Sequence, residues 1–228
     1  GSDMERFTKY RQLDTKEEFH HPQFVTVVEY VHSFIRNPRG YALSSGSHMA
    51  IIEFMRKTMD VTAQENKQNL ENYVKSLRQS NPEIIDAYTY CLQTAFTEYS
   101  SADLLLEASD ATLNLASMDM DHFGPKFADQ FGFIQRFMFN GDEQSREKTG
   151  RLVAFLYMFM DSVSKASLLK HLKENMTNST EANMHGSILT LGNICALTYK
   201  KNRDPVVPED LKGVVEDIVD LIVIGSHR

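Results

Sequence analysis

Apolar residues recur along this chain at intervals of three and four, and almost nowhere in strict alternation. From Pro22 to Asn37 the stripe is Phe24, Val27, Val28, Val31, Phe34 and Ile35, the period of a helix buried on one side. Asn37-Pro38-Arg39-Gly40 then reads as a stop. Ala50 to Met59 continues with Ile51, Ile52, Phe54 and Met55, and Asp60 or Thr62 is expected to cap the next helix. That helix carries Leu70, Tyr73, Val74 and Leu77. Asn81-Pro82 reads as an N-cap and first helical position, opening a helix to about Tyr99. Ser101 opens another, with Leu104, Leu105, Ala108, Ala111, Thr112, Leu115 and Met118 on one face. A break is expected at Gly124-Pro125, followed by a helix from Pro125 to Phe139. Asn140-Gly141-Asp142 is a tight turn, and Asp142 or Ser145 caps a helix to about Asp161. Ser164 or Ser167 starts one ending near Met176, and Pro208 opens the last, to Ile224.

The run from Thr180 to Lys201, TEANMHGSILTLGNICALTYKK, predicts one long helix. Gly186 and Gly192 lie in its middle, where each costs about 1 kcal/mol relative to alanine. Two such glycines imply close backbone approach to a neighbouring helix. The segment Glu147–Val153 aligns with Asn183–Leu189 at an offset of 36 residues, and Ser109–Leu113 aligns with Lys148–Leu152 at 39. A small residue (Ala111, Gly150, Gly186) is followed two positions later by Leu113, Leu152 or Ile188. Helix pairs at that period, without a tetratricopeptide pattern, point to HEAT or armadillo units. Each pair exposes an apolar face that only the next pair covers. The expected fold is therefore all-α, an α-α superhelix: a HEAT/armadillo-like solenoid of about five antiparallel helix pairs. Residues 1–228 are expected to form a single such stretch, with the clearest repeats at 101–201 and less regular ones before.

Composition narrows the function classes. Of 228 residues, 42% are hydrophobic and 24% charged, ordinary for a soluble globular chain. Few Gly and Pro and no alternating runs argue against a sandwich or barrel. A net charge of −7 gives no sign of a surface for nucleic acid or anionic membrane. No apolar run has the length to span a bilayer, and the start carries no signal peptide. Cys91 and Cys195 sit far apart inside apolar helical patterns, which reads as two buried reduced thiols in a cytosolic or nuclear protein. Gly1-Ser2-Asp3-Met4 resembles a cloning scar, and so does Gly46-Ser47-His48-Met49 inside the chain, where chance is the alternative.

Little in the chain carries chemistry. Asp119, Asp121 and His122 have the right side chains for a metal, with His20 and His21 as further imidazoles, but the spacing is not diagnostic and the bland reading is a polar helix end. His185 reads as a hydrogen-bonded structural histidine before a partner contact. Cys195 has no base beside it and no phosphate-binding loop or paired-Cys zinc pattern exists. Phe123, Phe127, Phe131, Phe133 and Phe137, with Phe155, Met158, Phe159 and Met160, read as core before a partner groove. Lys148, Arg151, Lys165, Lys170 and Lys173 read as solvated faces, while Lys200, Lys201 and Arg203 suit a helix C-terminus. No catalytic residue, metal or cofactor is expected.

The segment from Glu147 to Lys201 also resembles a known family, the large eukaryotic HEAT-repeat adaptor and scaffold proteins of the proteasome. The resemblance is sharpest over HGSILTLGNICALTYKK, at His185, Gly186, Ser187, Leu189, Leu191, Gly192, Lys200 and Lys201, and covers about a quarter of the chain. It implies a non-catalytic internal fragment of a long solenoid. Such a protein binds the proteasome, links core and regulatory particles and supports quality control of assembly, in the cytoplasm and nucleus. The partners implied are core- and regulatory-particle subunits. The rivals are another HEAT scaffold of the transport-receptor or phosphatase-subunit type, and a metal protein or enzyme at Asp119, Asp121 and His122.

Overall fold

The computed structural model describes residues 21–36, 43–97, 99–129, 131–177 and 179–202, together with Gly213 and Glu216. Every regular element among them is a helix, and the backbone contacts divide into two compact units, 1–120 and 121–228. The all-α class expected from the sequence is what the chain adopts, and its helix-on-helix packing is consistent with an α-α superhelix. The expected stop at Asn37–Gly40 and the helix from Pro208 lie outside the described residues, as do residues 1–4.

In the first unit, α1 (His21–Arg36) packs on α2 (Ser45–Glu65) and α4 (Pro82–Thr94). Helices α2, α3 (Leu70–Ser80), α4 and α5 (Ala102–Met118) each touch the other three. The predicted stripes meet there: Ile51, Ile52, Met55, Ile85, Leu92 and Leu104 have almost no exposed surface. Each such side chain contributes roughly 2 kcal/mol by leaving water.

Two boundaries differ from expectation. Helix α2 runs straight through Asp60 and Thr62, because Thr62 and Ala63 extend its buried face by a further turn. It ends instead at Asn66, beside Lys67 with φ 54°, and Asn69 caps α3 by accepting from the Asn72 amide at 2.8 Å. Helix α4 stops at Thr94 rather than near Tyr99, since Ala95 and Phe96 leave the helix to bury in a turn. Residues 46–49 lie inside α2, where Ser47 and His48 are buried.

The second unit holds α6 (Met120–Ala128), α7 (Phe131–Gln135), a 3₁₀ turn (Arg136–Phe139), α8 (Glu143–Tyr157), α9 (Ser162–Asn175) and α10 (Glu181–Asn202). The expected break at Gly124-Pro125 is absent. The chain turns earlier, at Asp119 (φ −144°, ψ 72°), and α6 continues through Pro125. Gly124 is needed for packing: a Cβ there would lie 2.6 Å from the Phe159 ring. The single helix expected over Pro125–Phe139 is divided into the end of α6, α7 and the 3₁₀ turn.

Helices α8 and α10 form the most extensive pair, burying Leu152, Val153 and Leu156 with Leu191 and Ile194. These are the two segments aligned at 36 residues, and they lie side by side. A Cβ at Gly150 would sit 3.1 Å from Thr190 Oγ1 and 3.7 Å from its amide, so the two backbones nearly touch. Gly186 also marks a close approach, but to the 3₁₀ turn: its Cα faces the Met138 carbonyl and the Phe139 ring. Gly192 corrects the expectation. It is exposed, and no atom of the described residues lies within 4 Å of a Cβ built there.

Short polar caps set most helix starts. Ser44, Asn69, Ser101, Asp142, Asp161 and Thr180 each accept from the amide three residues on. Each cap contributes about 1 kcal/mol. Asp161, not Ser164 or Ser167, starts α9, because its carboxylate reaches the Ser164 amide at 2.7 Å. Asn81 precedes Pro82 as expected but makes no side-chain cap.

The two glycines of α10 predict opposite outcomes. Gly186→Ala forces a methyl group onto the Met138 carbonyl and should cost about 3 kcal/mol. Gly192→Ala has open space and should gain up to about 1 kcal/mol. Denaturant midpoints of the two variants against the parent chain check this, and equal effects would refute the assigned packing.

Candidate functional site

Several polar side chains that enter the interior are tied to backbone, among them His48, Thr62 and Thr190. His48, 5% exposed, donates from Nε2 to the Cys91 carbonyl at 2.7 Å, with Thr94 Oγ1 at 3.2 Å. Burial lowers its pKa, and the bond to Cys91 offsets this in part. Burial pushes the Cys91 thiol up to about 12 and raises that of half-buried Cys195, so neither is an activated nucleophile.

The residues singled out for metal chemistry are engaged elsewhere. Asp119 accepts from Arg78 Nε at 2.9 Å, an ion pair that fixes the end of α5 to α3. His122 stacks edge-on against Phe123, and Asp121 is exposed in the first turn of α6. Among the described residues no group of three His, Cys, Asp or Glu could hold a metal ion. His20 and the side chain of His21 lie outside the described residues. No described helix is long and apolar enough to cross a membrane.

His185 has a structural partner. Arg146 Nε donates to its Nδ1 at 3.1 Å, while Arg146 Nη1 donates to the carbonyls of Asn140 (2.8 Å) and Gly141 (3.0 Å). One guanidinium thus holds the turn before α8 against α10. The imidazole accepts at Nδ1, which places its proton on Nε2. Phe123, Phe127 and Phe137 are core, the first two stacked at 6.0 Å between centroids. Phe131, Phe155, Met158, Phe159 and Met160 are half-buried, and the side chain of Phe133 lies outside the described ones. Arg151 pairs with Glu147 at 3.0 Å, and Lys165 sits over the Tyr157 ring at 5.2 Å. Lys170 and Lys173 are exposed. The side chains of Lys200 and Lys201, and all of Arg203, lie outside the described residues.

A cavity opens in the first unit, where α2, α3, α4 and α5 converge. It measures about 410 Å³. Its floor is apolar, with Met59, Val74 and Leu115 buried and Leu70 and Met118 half-buried. Its rim carries Glu53, Arg56, Lys57 and Asp60 of α2 and Asn114 of α5. Arg56 Nη1 lies 2.9 Å from Glu107 Oε1. The N–H is not aimed at that oxygen, which keeps no hydrogen bond of its own. This half-exposed pair is worth under about 1 kcal/mol.

Tyr88 lines the same cleft. It is 2% exposed, and its pKa is raised, first by burial and then by Glu107 and Cys91, against Arg56. It is therefore a neutral hydroxyl at any physiological pH. Sequence reading missed this constellation. The available signal was Glu53, Arg56, Lys57 and Asp60 at helical spacing on α2, and one tyrosine within the apolar face of α4.

Comparisons with protein-family models, with curated proteins and with solved structures find no match. The geometry above is what bears on function.

The buried imidazole gives a pH prediction. His48 has a folded pKa below 6.5, so the unfolded chain binds the proton more readily. Its contribution is complete above about pH 6.5 and is lost as pH falls through the lowered folded value. Urea midpoints between pH 7.5 and 5 should fall for the parent chain and fall less steeply for His48→Gln. Parallel pH profiles would contradict the buried, neutral imidazole.

Proposed function

We propose that this chain is part of a non-catalytic scaffold or adaptor that binds the proteasome, linking its core and regulatory particles. The observation that carries the reading is the register of α8 and α10. Two helices aligned at 36 residues pack side by side, with Gly150 nearly touching the backbone of Thr190. That is the packing a stacked-repeat scaffold needs. The proteasome enters through the resemblance of HGSILTLGNICALTYKK, and with it a cytoplasmic and nuclear setting.

The environment of the polar residues agrees with a binding role. Both thiols are pushed away from the thiolate by burial, His185 is held by Arg146, and Asp119 is neutralised by Arg78. None of these groups stands beside another in a nucleophile–base geometry.

Affinity capture from cell extract with the full-length parent protein tests the proposal. Core- and regulatory-particle subunits should be enriched over an unrelated helical-repeat bait. Recovery of transport or phosphatase subunits instead would favour another HEAT-type scaffold. Absence of proteasome subunits would remove the functional content of the resemblance.

A further inference from the structure

The turn between the 3₁₀ segment and α8 carries Asn140-Gly141, the only Asn-Gly pair in the sequence. An asparagine followed by glycine is chemically labile. The main-chain nitrogen of the glycine attacks the side-chain amide carbon, and glycine has no Cβ to obstruct it. Here the pair lies at the surface. Gly141 is exposed, and no atom of the described residues lies within 4 Å of a Cβ built on it. Water and hydroxide therefore reach the reacting atoms.

Geometry sets the pace of that reaction. Ring closure requires the Gly141 nitrogen to swing over the Asn140 side chain and onto Cγ. The structure holds it elsewhere. Asn140 has φ −58° and ψ 148°, an extended main chain that keeps this nitrogen to one side. Its Oδ1 accepts from the Asp142 amide at 2.9 Å, which fixes the side chain. Arg146 secures both residues: Nη1 donates to the Asn140 carbonyl at 2.8 Å and to the Gly141 carbonyl at 3.0 Å. Its Nε is anchored on His185 Nδ1 of α10 at 3.1 Å. Rotation about ψ carries the Asn140 carbonyl together with the Gly141 nitrogen, so it must break the bond from Arg146.

We propose that Asn140 is a site of spontaneous deamidation, with water as co-reactant, and that Arg146, anchored on His185, is the positioning residue that sets its rate. The Gly141 nitrogen loses its proton to hydroxide and forms a bond to Asn140 Cγ. The Cγ–Nδ2 bond breaks, the side-chain nitrogen leaves as ammonia, and a succinimide ring remains. Water then adds to one of the two ring carbonyls and opens the ring there. One opening gives aspartate. The other gives isoaspartate, whose main chain runs through Cβ and Cγ. Nothing is oxidised or reduced. The turn must open before the ring closes, so the observed rate is that of the free chain scaled by the open fraction. Either product adds a carboxylate beside Arg146, and isoaspartate also lengthens the connection into α8.

The test follows the tryptic peptide Phe137–Arg146 of the purified chain by mass spectrometry during incubation in mildly alkaline buffer (Phe137–Lys148 where Arg146 is replaced). The amide-to-acid mass change and the two chromatographically separate products report the reaction. A synthetic peptide of the same residues gives the rate of the open turn. The folded parent should react progressively, but at least about tenfold more slowly than the peptide. Arg146→Met should raise the folded rate about tenfold. His185→Ala removes only the anchor on α10 and should raise it about threefold, which provides a test even if Arg146→Met does not fold. Gly141→Ala has open space for its methyl group, so it should keep the fold and nearly stop the reaction. Circular dichroism and urea midpoints identify the variants that fold. The proposal is overturned by equal rates in folded parent and peptide, by no product in the parent over many peptide half-lives, or by an unchanged rate in a folded Arg146 or His185 variant. Full reactivity of Gly141→Ala overturns it too. No partner protein enters the measurement, so its result is separate from that of the capture experiment.

Discussion

Most of these helices are 9 to 17 residues long, and helices of that length are marginal in water by themselves. Burial of each apolar stripe against a neighbour is therefore the condition for every other feature. The clearest instance is the contact of α8 with α10. Leu152, Val153, Leu156, Leu191 and Ile194 lose all contact with water there, and Gly150 lets the backbones come close enough for that to happen. Buried hydroxyls of Thr149 and Ser187 lie on the same two helices without partners. That polar cost, of order 1–3 kcal/mol for each, is tolerated because the surrounding apolar burial is larger.

The periodic signal carried the fold well wherever one face of a helix was buried. Pro22–Asn37 became α1 within a residue at either end, and Thr180–Lys201 became α10. Boundaries failed where a local signal met a stronger tertiary demand. Gly124-Pro125 has the composition of a break, but the Phe159 ring occupies the space that Gly124 leaves, and the helix holds. Asp60 and Thr62 are competent caps that the buried face of α2 overrides. Gly186 and Gly192 look alike in the sequence. Only coordinates separate the one against the Met138 carbonyl from the one facing open space, since helical position within a partner's reach is not encoded locally.

The cleft was less legible, and for a physical reason. Its lining comes from four helices spread over Glu53–Met118, so no short motif contains it. Each contributor has an innocent reading alone: the α2 charges as a solvated face, Tyr88 as a core aromatic, Met59 and Met118 as filler. What marks the place is the convergence of an apolar wall and a charge-balanced rim, a three-dimensional property.

The interior polar groups that do find partners show how side chains tie these helices together. His48 spends its Nε2 proton on a main-chain carbonyl, Arg146 places one donor on His185 and others on the turn carbonyls, and Asp119 is matched by Arg78. All of these bonds hold one helix to another element, so they serve the fold. Tyr88 lines the cleft in the first unit, beside Arg56, which is drawn off to Glu107. Filling the space with a larger apolar residue would have removed the void, and cores accept volume changes when the total packing is kept. The chain keeps a void with an apolar floor and a charged rim, the form that a preformed pocket with few polar groups takes.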